Sequence, residues 1–234
     1  MEGFIMKINN RFKRWFKLRF FITYPIGLFV LFFCSPTCES FAAGIWFIAF
    51  GLGIRLWSNG YAIKTVALTT SGPYSIVRNP LYLGTILITI GFMIMLNTSY
   101  AGLVFVLIML AVYYRTIRSE ERALTMRFGQ PYLDYKSKVP RIIPTIFRYK
   151  AGEKWPFSFK RIIENKEYKL FVWIINIAII FRLKGYFLID HESMDTKKML
   201  LIGLFVFLAA IDIGGEVYKW QKKRRVQGSG NRVQ

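Results

Sequence analysis

The chain has 234 residues, 54% of them hydrophobic and 18% aromatic, and its 33 Lys and Arg outnumber 13 Asp and Glu for a net charge of +20. That much apolar surface excludes a disordered chain and exceeds the roughly 45–50% usual in a soluble domain. The basic residues fall between long apolar runs instead of collecting on one soluble module, which points away from nucleic acid and toward a membrane.

Residues 1–19 form a basic segment, and Phe20–Cys38 then carries no charge. Ser40–Ile54 follows after the single Glu39, so the two runs predict a helical hairpin with its tip at Cys34-Ser-Pro-Thr-Cys38-Glu39. A basic stretch, an apolar run and Ala42-Ala43 share the outline of a signal peptide, but the next span begins at once, and a hairpin is the simpler expectation. Cys34 and Cys38 are the only cysteines. Their spacing establishes no disulfide, and two isolated thiols make no metal site.

From Asn79 to Tyr114 there is no Asp, Glu, Lys or Arg. One helix of that length would reach about 54 Å, against about 30 Å for a hydrocarbon core. The run must therefore fold back at Asn97-Thr98-Ser99, which predicts spans at Leu81–Leu96 and Tyr100–Tyr114. Leu170–Phe181 and Met199–Ile211 are shorter candidates that span only if Arg182, Lys184 and Asp212 lie at the interface. The expected architecture is all-α, a polytopic transmembrane helical bundle of four spans with two further C-terminal ones.

With both termini cytoplasmic, 29 of the 33 basic residues fall on one side, as the positive-inside rule requires. Lys222-Lys223-Arg224-Arg225 then rests on a bilayer with anionic headgroups. The expected divisions are the basic segment 1–19, a membrane core 20–145, a cytoplasmic linker 146–169, an added hairpin 170–213 and a basic tail 214–234. His191 falls in an outer loop without an evident partner and reads as solvated, not as a base. A multi-pass protein of a bacterial inner membrane, with its working face toward the cytoplasm, is the expected setting.

The polar residues that point to chemistry flank the 81–114 hairpin. Pro80 suits the first turn of a helix and Asn79 its N-cap. Two antiparallel helices meeting near Thr98 bring Arg78, Asn79 and Tyr82 within about a turn of Arg118, Glu120 and Glu121. The adjacent glutamates diverge by about 100°, so they face different surroundings. Two acids at the mouth of an apolar bundle mark a site, the bland alternative being surface pairs with Arg118 or Arg122. Gly129-Gln130-Pro131 then breaks the helix. Tyr132 and Tyr135, three apart, either line a pocket or anchor in the headgroup region.

The string GPYSIVRNPLYLG, followed one hairpin later by SEERALTMRFGQPYLDYKSKVPRIIP, resembles the isoprenylcysteine carboxyl methyltransferase and phospholipid methyltransferase superfamily of integral membrane enzymes. Its pattern is GPY…RHPxYxG, an EE pair, then FGxxYxxYxxxVPRxxP, and the resemblance runs from Ala42 to Pro144. Gly51-Leu52-Gly53 looks like the GxG element of phospholipid methyltransferases, although small residues also permit close helix packing. The resemblance implies methyl transfer from S-adenosyl-L-methionine to a lipid or a lipidated, amphiphilic acceptor, with no nucleic acid or metal involved. It implies a cofactor site lined by Gly51, Gly53, Tyr74, Arg78, Asn79, Tyr82, Gly84, Tyr132, Tyr135 and Arg141. Arg78, Glu120 and Glu121 would form its catalytic part, one glutamate meeting amino or hydroxyl groups, while Arg141 anchors a carboxylate. Asn79 stands where the pattern has histidine, which keeps hydrogen bonding without imidazole basicity. The region from Trp155 onward lies outside the resemblance. A distant NADPH-dependent sterol-reductase-like group shares an arginine and HPxYxG-like pattern, and a non-catalytic scaffold or small transporter is the third reading.

Overall fold

The computed structural model describes residues 34, 36–63, 67–189 and 193–230. The basic N-terminal segment, nearly all of the expected span Phe20–Cys38, and His191 lie outside the described residues.

Helix α1, Cys38–Tyr61, starts at a capping box. Thr37 Oγ1 accepts from the Ser40 amide at 3.1 Å and the Thr37 amide donates to Ser40 Oγ at 2.9 Å, satisfying two amides that the first turn leaves unpaired. The helix runs past the expected end at Ile54 and so carries Arg55 on its last two turns. Helix α2, Pro80–Met95, begins at the proline as expected, and Asn97 in the left-handed region, φ 50°, makes the turn into α3, Ser99–Phe128. Helix α3 continues well beyond the apolar run ending at Tyr114, because Arg115 to Phe128 has good helix formers and no breaker. Gly129, at φ 60°, ends it, and α4, Gln130–Lys138, follows with Pro131 in its first turn.

The C-terminal part holds α5, Phe159–Glu164, α6, Glu167–Lys184, a π-helical turn at Gly185–Ile189, and α7, Thr196–Gly230. Among the described residues there is no strand. Three helical stretches, Cys38–Tyr61, Tyr100–Phe128 and Glu167–Phe187, are long and apolar enough to cross a membrane, and Pro80–Met95 is a shorter apolar helix.

The tightest packing is α1 on α2, where glycines let two backbones meet. A Cβ on Gly51 would lie 2.6 Å from the Gly84 carbonyl oxygen, and one on Gly91 would lie 2.8 Å from that of Gly44. Small residues of this kind drive association where lipid supplies no hydrophobic force. Ile48, Ile88, Met95 and Leu96 form one core with Ile174, Ala178 and Phe181 of α6, so the C-terminal helix shares the interior of the family-like part. Trp46, Phe50, Leu103 and Leu107 are exposed, an arrangement stable in hydrocarbon and costly in water. Cys34 and Cys38 are both free thiols.

Candidate functional site

The site forms where the loop before α2 meets the charged half of α3 and the chain after α4. Gly72 (φ 59°) opens a short 3-10 turn, Gly72–Ser75. The segment after α4 runs along this loop and is stitched to it by backbone bonds. The Arg78 amide donates to the Pro140 carbonyl, the Thr145 amide to Ile76 and the Tyr149 amide to Ser75, each at 2.9 Å. The Tyr135 hydroxyl donates to the Tyr74 carbonyl at 2.6 Å. Both halves of the split motif are thus bound into one unit.

Glu121 is its centre. The residue is 3% exposed, and its carboxylate receives Arg141 Nε at 3.1 Å and Nη2 at 2.8 Å in a forked pair, the strong geometry for guanidinium and carboxylate. Arg78 Nη1 lies 3.0 Å from Glu121 Oε1. Asn79 Nδ2 donates to the same oxygen at 3.4 Å and to the Arg141 carbonyl at 3.1 Å. Asn79 does occupy the N-cap position, but its side chain makes no capping bond. The deeper partners on α3 and after α4 take it instead. The hydrogen bonds from Arg141 to Glu121 raise the pKa of the arginine further, and its guanidinium also lies over the Tyr114 ring at 5.3 Å.

The Arg78 guanidinium in this network is incompletely hydrogen-bonded: Nε and Nη1 are both buried without a well-formed hydrogen bond among the described residues, Nη1 having only its ion-pair contact with Glu121. The Tyr132 hydroxyl acts on the same guanidinium; such an arrangement costs free energy unless another group supplies an acceptor. Glu120 turns elsewhere, as the helical offset requires, and accepts from the Tyr82 hydroxyl at 2.8 Å. Tyr82 packs edge-on against Tyr113 at 5.7 Å. Arg118 stays exposed, near the Tyr114 ring at 5.8 Å, and Glu121 is engaged by Arg78 and Arg141 in the interior.

Tyr132 and Tyr135 are 1% and 2% exposed. They pack with Val139, Leu68, Leu124, Phe128 and Tyr149, so they serve the interior and do not anchor in headgroups. Burial raises the pKa of Tyr132, and Glu121 adds to this while Arg78 and Arg141 oppose it. Tyr135 is raised chiefly by burial, then by Tyr132 and Tyr74; Tyr74 is raised by burial, with Arg55 opposing and Glu167 and Glu120 reinforcing. These phenols keep their protons in the folded state at a pH where the unfolded chain, with phenols near about 10, releases them. Their contribution to stability is therefore complete below about pH 10 and is lost as pH rises above it. Thermal unfolding in detergent should show a midpoint that falls above that pH, less steeply for Tyr135→Phe. At neutral pH the same variant should lose about 1 kcal/mol with its hydrogen bond; equal slopes for variant and wild type would remove Tyr135 from this account.

Of the other expected residues, Gly51 and Gly84 face each other in the α1–α2 contact, while a Cβ on Gly53 would meet nothing within 4 Å. The close-packing alternative for the GxG element describes Gly51. Two buried charges escape the motif reading altogether. Arg55 on α1 and Glu167 on α6 form an ion pair at 2.6 Å, and the only local signal for it is an arginine near the end of an apolar helix.

Comparison with known proteins follows the same outline. Residues 39–131 match the family described as phospholipid methyltransferase. A cobalt-zinc-cadmium resistance protein, CzcN, of Cupriavidus metallidurans is 30% identical over 131 residues, covering 54% of this chain and 58% of that protein. The protein-S-isoprenylcysteine O-methyltransferase of Rattus norvegicus is 38% identical over 88 residues, covering 38% of this chain and 31% of that protein. The protein of the same name in Schizosaccharomyces pombe is 35% identical over 83 residues, 36% of this chain and 35% of its own. This chain thus spans less than two thirds of the length of each of these relatives. No solved structure matches it.

Proposed function

We propose that the chain, whose residues 39–131 match the family described as phospholipid methyltransferase and which is similar to proteins named protein-S-isoprenylcysteine O-methyltransferase, transfers a methyl group from S-adenosyl-L-methionine to a lipid or lipidated acceptor at the cytoplasmic edge of a membrane. The observation that carries this reading is the buried Arg78–Glu121–Arg141 network, in which the Arg78 guanidinium is incompletely hydrogen-bonded among the described residues.

S-adenosyl-L-methionine, when bound, supplies a sulfonium methyl carbon open to in-line attack by a lone pair of the acceptor. The residues present fit such a group. Arg78 Nε offers a buried donor suited to a carboxylate, a pairing that is strong because both partners are charged. Glu120, oriented by Tyr82, is suited to accept from amino or hydroxyl groups. Glu121 has both oxygens engaged by arginine and asparagine, so it acts by holding Arg78 and Arg141 in place. Asn79, standing where the family pattern has histidine, contributes hydrogen bonds within that network and no proton transfer. Methyl transfer of this kind needs no protein nucleophile; the gain comes from orienting two reactants and excluding water. The apolar exteriors of α1 and α3 leave the site reachable by an acceptor whose hydrophobic part stays in the bilayer.

Membranes containing the chain, incubated with methyl-labelled S-adenosyl-L-methionine, are expected to incorporate label into lipid-extractable or lipidated material. The purified protein is expected to bind S-adenosylhomocysteine by calorimetry and to ignore NADPH. Folded protein that binds neither methyl donor nor its product, or that binds NADPH instead, would overturn the reading.

A further inference from the structure

The proposed chemistry uses the starts of α2 and the charged half of α3 and leaves the second buried ion pair without a role. Arg55 Nε donates to Glu167 Oε1 at 2.6 Å, and its Nη1 donates to Thr85 Oγ1 at 2.6 Å and to the Leu81 carbonyl at 3.2 Å. The side chains are 16% and 9% exposed. The arginine stem lies across Gly84, where a Cβ would come within 2.6 Å of Arg55 Cγ. One guanidinium thereby fastens the first turns of α2 to α1 and α6 together.

That turn of α2 is the one from which Tyr82 reaches Glu120 and which Asn79 precedes. Glu167 is the first residue of α6 and falls outside the matched segment 39–131. An arginine inside the family segment therefore takes its counter-charge from chain that the family pattern does not include. A buried guanidinium without that carboxylate would be left uncompensated, free to swing off Leu81 and Thr85. Tyr74 reports the same proximity, since Arg55, Glu167 and Glu120 all act on its hydroxyl.

We infer that Glu167 is a positioning residue for the cofactor site: through Arg55 it sets the first turn of α2, and with it Tyr82 and Asn79, so that the C-terminal hairpin is a working part of the enzyme. This rests on the methyltransferase reading. A purely structural staple would stabilise the bundle and leave the site unchanged, so the test must read both.

The full chain, purified in detergent, is compared with Glu167→Gln and Glu167→Asp for thermal-unfolding midpoint and for S-adenosylhomocysteine affinity by calorimetry. Displacing groups that orient a ligand is costly well out of proportion to the distance moved, and Glu167→Gln is expected to weaken binding about tenfold and also to lower the midpoint, because the buried Arg55 loses its counter-charge. Glu167→Asp, which keeps the charge one methylene short, should recover part of the loss. A lowered midpoint with unchanged affinity in Glu167→Gln would overturn the inference while leaving the methyltransferase reading intact. Wild-type protein that fails to bind overturns that reading and the inference with it. Should Glu167→Gln not fold, the double variant Arg55→Met with Glu167→Met leaves no unpaired buried charge. Weak binding by the double variant supports the inference, and wild-type affinity overturns it.

Discussion

Replacing Glu121 with alanine is expected to be the most damaging single change in the molecule. Its carboxylate, 3% exposed, is the counter-charge for Arg78, whose side chain is 9% exposed, and for Arg141, at 27%. Removing one partner of a buried pair costs about 3–5 kcal/mol, because the cost is dominated by the charges left without compensation. Here two guanidiniums are left, and Asn79 also loses an acceptor. The split motif is joined by this carboxylate, so the loss should appear both as a lower thermal-unfolding midpoint in detergent and as abolished S-adenosylhomocysteine binding. Glu120→Gln is the matched control one residue away. It weakens the hydrogen bond from Tyr82, worth about 1 kcal/mol, and should leave the fold standing while reducing cofactor affinity. A Glu121→Ala protein that melts with the wild type would remove the network from any structural role.

The second large effect is expected at Gly51. In Gly51→Ala the new Cβ lies 2.6 Å from the Gly84 carbonyl oxygen and 2.8 Å from Ile88 Cγ1. Backbone cannot move aside as a flexible side chain does, so α1 and α2 must separate. Overpacking of this kind costs about 1–3 kcal/mol, which outweighs the gain of about 1 kcal/mol from alanine's better helix propensity. Gly53→Ala places its Cβ in open space and should be neutral or slightly stabilising. The comparison separates two meanings of the GxG element. A cofactor role for both glycines predicts that each substitution lowers S-adenosylhomocysteine affinity with little change in stability. Close packing predicts that Gly51→Ala alone lowers the unfolding midpoint.

Much of the local architecture could be read without coordinates. The charge-free run from Asn79 to Tyr114 is too long for one crossing, and its polar break is where Asn97 makes the turn. Pro80 and Gly129 mark helix ends by what their backbones permit. The pairing of the motif halves was also legible, since equal rise on two antiparallel helices brings position 80 opposite the region of the two glutamates.

What the sequence by itself determined was therefore local and one-dimensional: apolar helices, their turns, and a polar cluster at one end of a hairpin. Hydropathy and backbone sterics act over a few residues, and each leaves a signature in the order of residues. The partner of each charge was decided by tertiary structure. Glu120 takes Tyr82 while Glu121 takes Arg78 and Arg141, a division set by helix rotation and by how the chain after α4 folds back along the 70–79 loop. Asn79 leaves its capping role for Glu121 and the Arg141 carbonyl, and Gly51 serves a helix contact. Arg55 and Glu167 stand 112 positions apart and meet only because α6 packs into the same core as α1. The physical reason is that burial of apolar surface is non-directional, whereas an ion pair requires two particular atoms within hydrogen-bonding distance, and only the final register of the helices sets that distance.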